Sequence, residues 1–110
     1  MSVVIAEDDV PGGAPVVVVD GELDARTAPG LGATLHRLVD EGASSITVDC
    51  SRLAFLDSHG LGVLVGASRR LKETGGALHL CGVGTQITRV LRLTRLDQVF
   101  VLDEPAAGPV

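Results

Sequence analysis

The stretch FLDSHGLGVLVG, residues 55–66, sets a carboxylate, a hydroxyl and an imidazole side by side at Asp57, Ser58 and His59. These are the residue types of a catalytic triad, but a triad needs its groups to converge within hydrogen-bond reach. Consecutive residues entering a helix point roughly 100° apart and diverge instead. No GxSxG elbow presents the serine, since Leu56 and Asp57 precede Ser58. His36 and His79 fall in a helical and a strand pattern, at no spacing that marks either as a base. Hydrolytic chemistry is therefore set aside.

Two other uses of the same residues are compatible with each other. Ser58 or Asp57 suits the N-cap of a helix, where a side-chain oxygen accepting from the free first-turn N–H groups contributes about 1 kcal/mol. A serine at such a strand-to-helix turn is also exposed enough to be modified. A phosphate there would meet the positive end of the helix dipole, so the domain itself should tolerate it. Its charge of about −1.5 to −2, beside Asp57, would be desolvated in any interface covering the turn, and the serine would act as a binding switch.

The elements that must position this turn alternate between strand and helix signals. SVVIA (2–6) and VVVVD (16–20) are β-branched runs separated by PGGAP, which reads as loop. VVVV lacks polar alternation, which predicts a strand that is central or covered on both faces. Leu31, Leu35, Leu38 and Val39 form a helical stripe ending near Gly42, with Thr27 or Asp24 as its cap and Pro29 in its first turn. SITVDC (45–50) alternates Ile46, Val48 and Cys50 on one face, and RLAFL extends it to the opening motif. Leu61, Leu64, Val65, Ser68 and Leu71 mark a second helix, which Gly60, Gly62, Gly66 and Ala67 should let lie close on the sheet and TGG should stop. ALHLC (77–81) is the next strand. TQITRVLRLT (85–94) carries Ile87, Val90, Leu91 and Leu93 at helical spacing, and VFVL (99–102) is a last strand. Arg69, Arg70, Arg89 and Arg92 read as solvated helix faces rather than docking patches. Such alternation implies an α/β domain, one sheet with helices laid on it.

Composition narrows the function classes. The 110 residues are 45% hydrophobic and 21% charged, as in a globular domain. Two Phe and no Trp or Tyr leave no stacking platform for single-stranded nucleic acid. A net charge of −5 argues against a phosphate-backbone binder, so no direct nucleic-acid partner is expected. No apolar run approaches the roughly 20 residues of a membrane span, and MSVVIAEDDV is no signal peptide. Cys50 and Cys81 lack metal-ligand spacing and read as small buried thiols in a reducing cytosol. The expectation is a single cytoplasmic domain over residues 1–110, with a core about 3–102, a frayed tail at 103–110, and neither membrane, metal nor cofactor.

Three segments, VVDGELDARTA, DCSRLAFLDSHGLGVLVGASRRLK and RVLRLTRLDQVF, occur in the order and spacing of the anti-sigma factor antagonist family, within the STAS-domain group, which this chain resembles from about Val3 to Leu102. The Asp-Ser-x-Gly-Leu segment is the specific one. The resemblance implies a mixed β-sheet with helices packed mainly on one face and no enzymatic activity. It implies binding to an anti-sigma factor that is also a serine kinase of the histidine-kinase-like ATPase type. Binding frees a sigma factor, phosphorylation of the antagonist ends the binding, and a metal-dependent serine phosphatase resets it. By position, Ser58 matches the phosphoacceptor, Asp57 its acidic neighbour and Asp24 the GELD aspartate that supports kinase engagement. The partner-binding set implied is Asp24, Asp57, Ser58, His59 and Gly60.

Two positions depart from the family pattern. His59 stands where a small residue usually follows the phosphoacceptor, which bears on kinase access. Arg95 stands where glycine is common, and would be strained if that position is left-handed. An alternative function uses the same fold without a switch, as a constitutive STAS module in a lipid transporter or a stress-signalling scaffold. A nucleotide site at GLGVLVG or CGVGTQ lacks either phosphate-loop pattern.

Overall fold

A computed structural model of the chain describes residues 3–8 and 14–103. The elements run β1 (Val3–Asp8), β2 (Val16–Leu23), α1 (Ala28–Asp40), β3 (Ser45–Leu56), α2 (Ser58–Glu73), β4 (Ala77–Cys81), α3 (Thr85–Leu93), a 3-10 turn (Leu96–Gln98) and β5 (Val101–Asp103). The strands form one sheet in the order β1-β2-β3-β4-β5. β1 pairs antiparallel to β2, and the other pairs are parallel. Residues 1–2, 9–13 and 104–110 lie outside the described residues, and with them the start of SVVIA, most of PGGAP and the expected tail beyond 103.

One face of the sheet makes the core. Val17 and Val19, Ile46, Val48 and Cys50, and Leu78 and Leu80 are buried against Leu31, Leu35 and Leu38 of α1 and Leu64, Ala67 and Leu71 of α2. Leu91 of α3 and Phe100 close the end of this layer. Burying these aliphatic side chains contributes roughly 1.5–3 kcal/mol each, which is how a chain with two aromatics makes a core. The opposite sheet face is not covered by a helix: Val16, Val18, Thr47, Asp49, His79 and Cys81 are half-buried and Val101 is exposed. The VVVV run is thus an interior strand between β1 and β3, and is not sealed on both faces. Its unbroken apolar character reflects neighbours on both edges rather than two covered faces.

Polar contacts fasten the layers. Ser68, buried in α2, donates to the carbonyl of Val99 at 2.7 Å and ties the helix to the chain entering β5. Arg70 of α2 reaches α1, donating to Asp40 at 2.6 Å and lying 3.1 Å from His36 Nδ1. It is an interhelical clamp, not the solvated residue its sequence context suggested. β5 is pinned to β4 by His79 and Asp103, 2.8 Å apart, so Asp103 belongs to the sheet and not to a frayed tail. The last strand starts two residues later than the VFVL run, because Phe100 turns into the core.

Buried Cys50 and half-buried Cys81 are both free thiols. Burial, with Cys81 and Asp49 nearby, pushes the Cys50 thiol up to about 12, and burial followed by Asp49 and Asp103 raises Cys81. Neither is poised as a nucleophile.

Arg95 adopts φ 63°, ψ 17°, the left-handed conformation, at the junction of α3 and the 3-10 turn. A β-carbon there costs about 1 kcal/mol relative to glycine. Arg95→Gly is therefore expected to raise the melting temperature by a few degrees, read by thermal denaturation beside an Arg95→Ala control that should not gain.

Candidate functional site

The site lies at the carboxyl ends of β2 and β3, where adjacent parallel strands both turn into helices. Open α/β sheets place their binding surfaces at such ends. The two turns are joined by backbone: the Asp57 N–H donates to the Leu23 carbonyl at 3.0 Å. Register shifts between β2 and β3 bring Leu23 level with Leu56.

In the first turn, one oxygen of Asp24 accepts from the N–H groups of Arg26 at 2.9 Å and Thr27 at 3.1 Å. The Thr27 hydroxyl donates to the Glu22 carbonyl at 2.6 Å and accepts from the Asp24 N–H at 2.9 Å. Asp24 and Thr27 therefore lock one another in the turn ahead of α1, where Thr27 is the N-cap by position and neither side chain accepts from a first-turn N–H of the helix. The backbone N–H of Arg26, assisted by the N–H and hydroxyl of Thr27, holds the Asp24 carboxyl below the usual carboxylate range against the opposing effect of burial.

In the second turn Asp57 is the N-cap, with extended backbone at φ −108° and ψ −172°. Its Oδ1 accepts from the N–H groups of His59 at 2.8 Å and Gly60 at 3.2 Å, while its Oδ2 lies 3.5 Å from His59 Nδ1. Ser58 is the first helical residue, exposed, and its hydroxyl makes no hydrogen bond among the described residues. The choice between Ser58 and Asp57 as cap is thus resolved in favour of Asp57, and α2 begins three residues before the Leu61 that opens its apolar stripe. No triad assembles: His59 leans on Asp57, His36 faces Arg70 and His79 faces Asp103.

Gly60 makes the two turns fit together. A β-carbon on it would fall 2.6 Å from Leu56 Cδ1 and 2.7 Å from Leu23 Cβ, whereas one on Gly62 or Gly66 would meet nothing within 4 Å. The expectation that all three glycines serve close packing holds for Gly60 alone.

Ser58 stands at the rim of a groove of about 410 Å³ between the β3–α2 turn and α3, with Phe55, Leu61, Ile87 and Val90 along its walls. Phe55 is 46% and Val90 51% exposed. Val90 and Leu93 are therefore surface residues, and only Leu91 of α3 is buried. The sequence reading missed this groove. The available signal was Phe55: of two phenylalanines, one fills the core and the other ends a strand beside the serine. Among the described residues no three His, Cys, Asp or Glu side chains gather as a metal site would require, and no helix is long and apolar enough to cross a membrane.

The STAS domain family model matches residues 6–106. An anti-sigma-B factor antagonist of Staphylococcus aureus is 33% identical over 88 residues, covering 80% of this chain and 82% of the relative. The crystal structure of an anti-sigma factor antagonist from Mycobacterium paratuberculosis superposes with a TM-score of 0.80 at 31% identity, over 91% of this chain and 84% of that one. The Bacillus cell fate determinant SpoIIAA, in its phosphorylated form, shares the fold with a TM-score of 0.74 at 24% identity over 91% of each chain.

Two outcomes check the geometry. Gly60→Ala should destabilise by about 1–3 kcal/mol through overpacking, while Gly62→Ala, at an open helical position, should stabilise by up to about 1 kcal/mol; urea titration reads both signs. The lowered Asp24 carboxyl contributes stability that is present above the unfolded carboxylate value near about 4 and lost as pH falls through the folded one. The melting-temperature gap between wild type and Asp24→Asn should accordingly be largest near neutrality and shrink in acid.

Proposed function

We propose, from the premise that this chain belongs to the STAS-domain family on the side of its anti-sigma factor antagonists, that it binds an anti-sigma factor and is released by phosphorylation of Ser58. The reading makes it a regulatory interaction protein with no catalytic activity of its own, acting in the cytoplasm. The observation that carries it is the division of labour at the turn. Asp57 has taken the capping role, so the Ser58 hydroxyl is exposed and unbonded at the edge of an open apolar groove. Modifying it removes no internal contact.

The electrostatics then favour a switch over a structural change. A phosphate of about −1.5 to −2 at the first helical residue meets the positive end of the α2 dipole, which offsets part of the repulsion from Asp57. Covered by a partner, the same charge loses its solvation beside a carboxylate that is already engaged. A loss of ~3 kcal/mol corresponds to roughly a hundredfold in affinity. The partner surface in this reading is Asp24, Asp57, Ser58 and His59; Gly60, expected in this set, is buried against Leu23 and Leu56 and acts by seating the turn. The kinase is the bound anti-sigma factor, of the histidine-kinase-like ATPase type, and a metal-dependent serine phosphatase reverses the modification. His59, beside Asp57 and exposed, is placed to slow kinase access.

The test is a pull-down from native lysate with wild type, Ser58→Ala and Ser58→Glu as baits, followed by mass spectrometry. Wild type and Ser58→Ala should capture an ATP-binding anti-sigma kinase that Ser58→Glu loses at least in part. Equal capture of a transporter or scaffold by all three would favour the constitutive module and leave Ser58 without a switching role.

A further inference from the structure

The outer side of α3 carries features that the Ser58 turn does not use. From Thr74 to Leu96 the chain has no acidic residue, although it is acidic as a whole, and Arg89, Arg92 and Arg95 recur there at three-residue intervals. Of the five arginines elsewhere, three are matched with carboxylates: Arg37 with Glu41, Arg52 with Asp20, Arg70 with Asp40. Arg89, Arg92 and Arg95 are exposed and have no carboxylate partner among the described residues.

Arg89 and Arg92 line an open depression of about 520 Å³ with Val83, Thr85, Thr88 and Leu93. The hydroxyls of Thr85 and Thr88 make no hydrogen bond among the described residues. Leu93 is 78% exposed, the most exposed large apolar side chain among the described residues. Like charges three residues apart disfavour a helix of nine residues, and Arg95 holds a left-handed conformation in which its β-carbon is a burden. Local stability therefore does not account for the row.

We infer that this face of α3, built on Arg89, Arg92 and Leu93, is a second docking surface, and that its occupant is an acidic protein segment bearing an apolar side chain beside its carboxylates. Guanidinium groups on adjacent helical turns match carboxylates at i and i+3 or i+4 of a helix, each open to a bidentate contact. Leu93 and Val83 supply an apolar footing that a free phosphate would not use. Net charge selects for a short partner. At physiological ionic strength fields fade over about 8 Å, so a local acidic segment feels the patch, whereas an extended polyanion also meets the acidic remainder of the surface. The inference does not depend on Ser58.

The test is selection of random short peptides by display against the full chain, with charge-reversed Arg89→Glu/Arg92→Glu as counter-bait. Enrichment of Asp and Glu next to Leu or Phe is expected. Selected peptides should lose at least about tenfold in affinity on the reversed protein and bind more weakly as salt rises. Arg89→Lys/Arg92→Lys, which keeps the charge but not the bidentate fork, should lose less than the charge reversal, and Leu93→Ser should lose part of the affinity. Thermal melts of these surface variants serve as the folding control. Enrichment without acidic residues, or equal binding to the reversed protein, overturns the inference. So do stronger binding to anionic phospholipid vesicles than to any selected peptide, and self-association of the chain through this face by sedimentation.

Discussion

The backbone bond from the Asp57 N–H to the Leu23 carbonyl is the constraint on which the rest of the site depends. It joins two turns that are 34 positions apart in the chain, and it forms only because β2 and β3 end level with one another after their register shifts. With it in place, α2 must start directly above Leu23 and Leu56, where only glycine leaves room at position 60. The apolar sheet face below, the cap above and the missing side chain between them are one arrangement. A side chain at Gly60 would push α2 off the strand ends and pull the Asp57 cap away from its N–H groups.

That arrangement explains why two carboxylates and one hydroxyl share a small area without conflict. Asp24 and Asp57 each spend an oxygen on backbone N–H groups, which spreads their charge into peptide dipoles. Ser58 is left with no structural duty. A hydroxyl that held the cap itself would couple any modification to unfolding of the first turn of α2. Here the cap and the modifiable group are adjacent residues, so the charge at Ser58 can change while the helix start stays fixed.

Much of this was legible in the chain. Apolar runs and stripes located the five strands and three helices, though not the 3-10 turn, because the core is one layer of aliphatic side chains that most of them face. At Arg95 the sequence raised a left-handed backbone only as a condition, and the structure supplies it at φ 63°. What could not be read was whatever depends on elements meeting. Choosing Asp57 over Ser58 as cap required the backbone angles at the turn. Separating Gly60 from Gly62 and Gly66 required knowing which side of α2 meets Leu23. Arg70 was read as solvated because its partners, His36 and Asp40, lie on another helix. The apolar residues of α3 were read only as helically spaced, and the helix buries Leu91 alone fully. A stripe reports that a face is apolar, and the neighbouring elements decide whether it is covered.

The position of α3 also bears on how two surfaces could share one small domain. Its Ile87 and Val90 wall the groove beside Ser58, and its Arg89, Arg92 and Leu93 line the basic depression. A helix with its side chains is about 10–12 Å across, close to or beyond the screening length of about 8 Å at physiological salt. A phosphate on Ser58 would therefore be felt strongly by anything seated in the groove and only faintly by a segment held on the arginines. Contacts separated by this distance with no shared partner combine nearly additively. A partner engaging both sides of α3 would lose the groove contact on phosphorylation while keeping the basic one. Release would then be graded by the affinity of the arginine face.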